Sequence, residues 1–227
     1  MRHIVLLMLC LFTPVNAHAL SLAKLSEQDA AAGLKAALNQ GAGSAVAKLG
    51  KTDGFLGNPQ VKIPLPDSLQ KADRTLSRFG MGKYTQDLVV SMNRAAELAV
   101  PEAKDLLLDA VKQMTVQDAK NILTGGNTAA TDYFRAKTSQ PLAVKFLPIV
   151  RQATAKVQLA QKYDEFAGKA SRFGLLDEKQ ANLEEYITQK ALDGLFLMIA
   201  EEEKAIRADP LGQANKLLTK VFSLVKN

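Results

Sequence analysis

Histidine, cysteine and tryptophan are nearly missing from this chain of 227 residues, which has two histidines, one cysteine and no tryptophan. His3, Cys10 and His18 all fall within the first nineteen residues. That segment has the form of a secretory signal peptide. Arg2 and His3 give a basic start, Ile4 to Phe12 an apolar core, Pro14 a break, and Ala17-His18-Ala19 a small-residue cleavage signal. The expectation is removal of residues 1–19, leaving residues 20–227 as a single domain in the periplasm. Such a domain has no Ser–His or Cys–His nucleophile and none of the commonest metal ligands, so neither a metal site nor a cofactor is expected. It also has no disulfide, and its stability must come from packing. Leu9 is too bulky for the position before a lipidated cysteine, which argues against Cys10 as a lipid anchor.

Long apolar runs are absent too. After residue 19 nothing approaches the roughly 20 residues that span a bilayer, and the stretch Leu195 to Ala200 is only a short block. Charge of one sign is not concentrated anywhere. The formal net charge is +6, but the basic residues are interspersed, and aromatics are not interleaved with them, so no nucleic-acid footprint is present.

What the chain does have is helical periodicity. Ser26 with Asp29 opens a first helix carrying Leu34, Leu38, Ala42, Ala45, Val46 and Leu49, in which Gly41 and Ala45 invite close approach of a neighbour. Residues 54–66 read GFLGNPQVKIPLP; three prolines forbid a helix there and predict an extended strap, with edge-strand character. Helices are expected from Asp67 to Phe79, from Tyr84 to Ala99, and from Pro101 to Met114. A capping box at Thr115 and Asp118 starts a short helix stopped by Gly125 and Gly126, and another surrounds Tyr133 and Phe134. The rhythm from Leu142 to Ala160 predicts a long helix kinked or divided at Pro148. Asn182 with Glu185 caps a penultimate helix ending near Asp209. A last amphipathic helix carries Leu217, Leu218, Val221, Phe222 and Val225, with Lys216, Lys220 and Lys226 opposite, which leaves peripheral membrane contact open. The predicted fold is an all-α, single-domain bundle of about seven to nine helices with a Gly/Pro strap. Leu192, Leu195, Phe196, Met198 and Ile199 are its expected core.

Ala45 to Thr52 satisfies the loose phosphate-loop pattern, but a helix precedes Gly50 and a strap follows, the reverse of the strand-loop-helix context that pattern needs. Carboxylates are the remaining acid–base groups. Glu202 lies three or four residues from Met198 and Ile199, on a face that should point inward, while Glu203 and Arg207 are spaced for an i,i+4 pair. Asp193 and Gly194 interrupt an apolar helix. Gly194 implies close contact with another element, and Asp193 then needs a buried partner. Arg94 with Glu97, and Asp132 with Tyr133, suit helix-to-helix hydrogen bonding. These six, Asp193, Glu202, Arg94, Glu97, Asp132 and Tyr133, are the candidate ligand or partner residues, and no catalytic residue is assigned.

Together the strap and the segments MNRAAE (92–97), VPEAK (100–104), MTVQDA (114–119), GGNTAATDYF (125–134), FLPIV (146–150) and YITQKALDGLFLMIAEEEKAIRADP (186–210) resemble bacterial domain-of-unknown-function family 4197. The resemblance implies a secreted or envelope-associated, largely helical protein of Gram-negative bacteria and supplies no catalytic residues. The expected function is a non-enzymatic binding or scaffold module for a hydrophobic ligand or an envelope protein. The alternative is a carboxylate-dependent hydrolase of an envelope polymer, a chemistry that needs neither His nor Cys.

Overall fold

The computed structural model describes residues 27–172 and 182–208. Among them are eight α-helices, a 3-10 turn and no strand, which makes the fold all-α. Helix α1 is Glu27–Leu49, α2 Asp67–Arg78, α3 Gly82–Ala99, α4 Lys104–Gln113, α5 Val116–Thr124, α6 Ala129–Lys156, α7 Leu159–Arg172 and α8 Leu183–Ala208, with the 3-10 turn Val100–Ala103 leading into α4. No described helix is long and apolar enough to cross a membrane. Ser26, the segment after Ala208 with its basic amphipathic pattern, and the first nineteen residues lie outside the described residues.

Helix α8 is the axis of the bundle. It packs on α6, α1 and α3, and Leu192, Leu195, Phe196, Met198 and Ile199 are all buried, as their position in an apolar block requires. The helix starts where Asn182 accepts the Glu185 N–H at 3.1 Å, the predicted cap. Small residues set the spacing around it. Ala95, Ala96 and Ala99 on α3 are fully buried, and a Cβ at Gly41 of α1 would meet Ile206 and Glu202 of α8 at ordinary contact distance.

Local chemistry explains most boundaries. Gly80, at φ 75°, takes the left-handed conformation that ends α2, with the Met81 N–H donating back to the Leu76 carbonyl. The Thr115–Asp118 capping box is formed in both directions, and the two hydrogen bonds from Thr115 hold the Asp118 carboxyl below its ordinary pKa. Gly50 simply follows the end of α1, its N–H on the Val46 carbonyl, and no phosphate loop is built there.

Two expectations are corrected. The segment around Tyr133 and the run from Leu142 are one helix, α6, which passes undivided through Pro141 and Pro148. Each proline removes a hydrogen bond to the carbonyl four residues earlier, at Lys137 and Val144, but both of these residues are exposed and water can satisfy them, while buried Leu142, Phe146 and Val150 hold the helix on the core. The chain breaks instead at Val157 and Gln158, where φ of Gln158 is 55°.

The strap runs through turns from Lys51 and is extended up to Pro66. Val61, Ile63 and Leu65 alternate inward, but the strap is not an edge strand. The fully buried side chain of Asn93 on α3 takes the place of a neighbouring strand, accepting the Ile63 N–H at 2.8 Å and donating to the Ile63 carbonyl at 2.9 Å.

Candidate functional site

The candidate residues separate into four places. Arg94 and Glu97 lie where α3 meets the first half of the strap. Glu97 is buried; one of its oxygens accepts both the Phe55 and Leu56 N–H groups at 3.1 Å, and the other takes Arg94 at 2.6 Å. Arg94 also reaches Asp53 at 2.7 Å, and its hydrogen bonds to Glu97 first and Asp53 second push its pKa above the ordinary arginine value. Asp53 holds φ 64°, a left-handed conformation that aspartate tolerates better than most residues. This pair therefore staples a strap to a helix; it does not join two helices.

Glu203 repeats the same device at the other end of the core. Its carboxylate accepts the Ala130 and Thr131 N–H groups at 2.9 Å and the Thr131 hydroxyl at 2.8 Å, so it closes the N-terminus of α6, where a negative charge also suits the helix dipole. Arg207 completes the predicted i,i+4 pair at 2.7 Å and donates onward to the Ile122 carbonyl, tying in α5. Both buried glutamates are thus held by two backbone N–H groups and an arginine.

Glu202 faces inward only as far as the edge of the core, its side chain 14% exposed. One residue along, the helix has turned by about 100°, and Glu202 points along the α1–α8 seam, where Ser44 and Lys48 bind one of its oxygens. Tyr133 bridges helices as expected. Its hydroxyl donates to the Ala110 carbonyl of α4 at 3.2 Å beside a cavity of about 300 Å³, and burial raises its pKa.

Asp132 and Asp193 come together on one feature, an open groove of about 470 Å³ between the strap, the first turns of α6 and the middle of α8. Gly194 makes the groove wall possible. A Cβ there would lie 2.8 Å from the Phe55 ring and 3.3 Å from Val61, so the close contact foreseen for this glycine is with the strap, not with another helix. The buried ion pair foreseen for Asp193 is absent. Asp193 is partly exposed, accepts from Gln189 of its own helix at 3.0 Å, and has no cation within salt-bridge distance among the described residues. Being in part exposed to water, it needs none. Asp132 is exposed and accepts from Thr128 at 3.0 Å.

The groove also gathers residues that the sequence did not single out: Lys62 from the strap, Arg135 from α6, and Lys190 and Leu197 from α8. The Arg135 guanidinium lies 4.7 Å from the centre of the Phe196 ring, a cation–π geometry. A signal existed, because Arg135 follows Asp132 by three residues and Lys190 precedes Asp193 by three, which places each cation on the same helix face as its aspartate.

A family model described as a protein of unknown function (DUF4197) matches residues 24–223. No curated protein and no solved structure matches the chain.

Proposed function

This chain belongs to the DUF4197 family of proteins of unknown function, and from that premise we propose that it is a periplasmic, non-enzymatic binding module whose ligand or envelope partner sits in the groove between the strap, α6 and α8. The observation that carries this reading is the division of labour among the carboxylates. Glu97 and Glu203, the buried ones, are each held by two backbone N–H groups and an arginine and are shut away from the groove. Asp132 and Asp193, the available ones, stand partly in water at the edge of an open groove, without the apolar surroundings that make a carboxyl group a general acid. A surface recess with an apolar patch and several convergent polar groups on a rigid frame is suited to holding a molecule.

Native mass spectrometry of the protein purified from the periplasm tests this. The expected result is an adduct that the wild-type chain carries and a Leu197→Trp variant, in which the groove is filled, does not. Identical spectra without adducts from both would overturn it. A second reading, a hydrolase of an envelope polymer, has one observation in its favour: two carboxylates line a single groove. It requires turnover that Asp132→Asn or Asp193→Asn abolishes while the melting temperature stays unchanged.

A further inference from the structure

The groove gathers three cations, Lys62, Arg135 and Lys190, and none lies within salt-bridge distance of a carboxylate among the described residues. Asp132 and Asp193 line the same groove and keep their charge, each hydrogen-bonded to a neutral neighbour, Asp132 to Thr128 and Asp193 to Gln189, so three cations against two carboxylates leave the groove with a net charge of +1. Arg135 is the best placed of the three. Its guanidinium lies 4.7 Å from the centre of the Phe196 ring while the residue stays exposed, and no carboxylate among the described residues takes up the fork of N–H donors that suits a two-oxygen acceptor. Lys190 and Lys62 add point charges from the other two walls. Beside them the groove is apolar: Leu197 is 38% exposed, and Pro64 and Ala200 flank it.

We propose that the groove binds an amphiphile with an oxyanion head, a phosphate monoester or a carboxylate, the head forked by Arg135 between Lys190 and Lys62 and the apolar part lying on Leu197 and Pro64. This rests on the reading of the groove as a ligand site and names the ligand class. Lipid-like amphiphiles and free oxyanions share the head-group chemistry, and only the first uses the apolar floor.

Isothermal titration of the full chain with dodecyl phosphate below its micelle concentration, inorganic phosphate and dodecyltrimethylammonium tests the proposal. Dodecyl phosphate should bind, with affinity falling as salt is raised and dropping at least tenfold in Arg135→Gln and in Lys190→Gln. Lys145→Gln, which removes an exposed charge outside the groove, should bind as wild type does. Circular dichroism confirms that each variant is folded. If inorganic phosphate matches dodecyl phosphate, the oxyanion site stands with the free anion as its source. If dodecyltrimethylammonium binds as well as dodecyl phosphate, or if Arg135→Gln and Lys190→Gln bind normally, the oxyanion assignment is overturned, and the groove reading survives where a Leu197-dependent adduct is still found. No binding by any probe overturns the ligand class, and absence of the adduct as well overturns the groove reading.

Discussion

Glu202 and Glu203 are neighbours in sequence with opposite energetic roles. Glu203 is buried and paired with Arg207, itself largely shielded, and satisfies two N–H groups of α6. Removing it strands a buried cation and two backbone donors, so Glu203→Ala should cost about 3–5 kcal/mol. Glu202 is also shielded, but it pairs with Lys48, which is more than half exposed, and it closes no helix end, so Glu202→Ala should cost less, about 1 kcal/mol. Urea melts of the two variants check the ranking, and equal losses would refute the assignment of Glu203 as the cap of α6. Glycines supply a second contrast at this scale. Gly194→Ala pushes a methyl into the Phe55 ring and should destabilise by about 1–3 kcal/mol. Gly43→Ala, in mid-helix with open space around it, should stabilise by about 0.5–1 kcal/mol, because alanine loses less backbone entropy in a helix. Opposite shifts in melting temperature are the expected observation.

Among elements, the strap is the one whose shape depends on side chains far away in sequence. Its prolines and alternating Val61, Ile63 and Leu65 made an extended path legible, since no helix tolerates that spacing of proline. What holds it was only half legible. Arg94 and Glu97 were visible as a polar pair on a helix, but Asn93 was not, and the partners of Glu97 and Asn93 are backbone N–H groups about 30 to 40 residues earlier, which no local pattern reports. The same limit explains Glu203, visible as half of an i,i+4 pair while its second role, closing α6, lies 73 residues away. The misplacement of the break in α6 has a different origin, because proline's local cost was outweighed by buried Leu142, Phe146 and Val150 on either side of it. Asn93→Ala leaves the Ile63 N–H and carbonyl without their partner and should cost at least about 2 kcal/mol, since an unsatisfied buried group costs about 1–3 kcal/mol. Hydrogen exchange should show the Ile63 amide losing protection selectively, with the amides of α6 unchanged. Uniform loss along the chain would mean that the strap is not separately held.

At the scale of the molecule, Tyr133 and Tyr186 close opposite seams, one between α6 and α4, the other between α8 and the Pro64 carbonyl of the strap at 3.1 Å. Burial raises both pKa values above the unfolded value of about 10, with smaller contributions from Asp118 and Asp67 respectively. A raised folded-state pKa means that each contributes stability fully present below the unfolded value and lost as pH rises through the folded one. Urea midpoints measured from pH 8 to 11 should therefore fall more steeply in the wild type than in Tyr133→Phe/Tyr186→Phe, and parallel curves would refute it. The position of α8 in the chain bears on the order in which the molecule assembles. A helical bundle usually folds fast because its contacts are local, but here the helix on which α1, α3 and α6 pack follows all of them. Until residues 183–208 are available, α1 can pack on α4 and α5, and α3 on α6 and α7, but their common partner is missing, so a chain emerging N-terminus first keeps an apolar seam open along its middle and closes it in a late, long-range step.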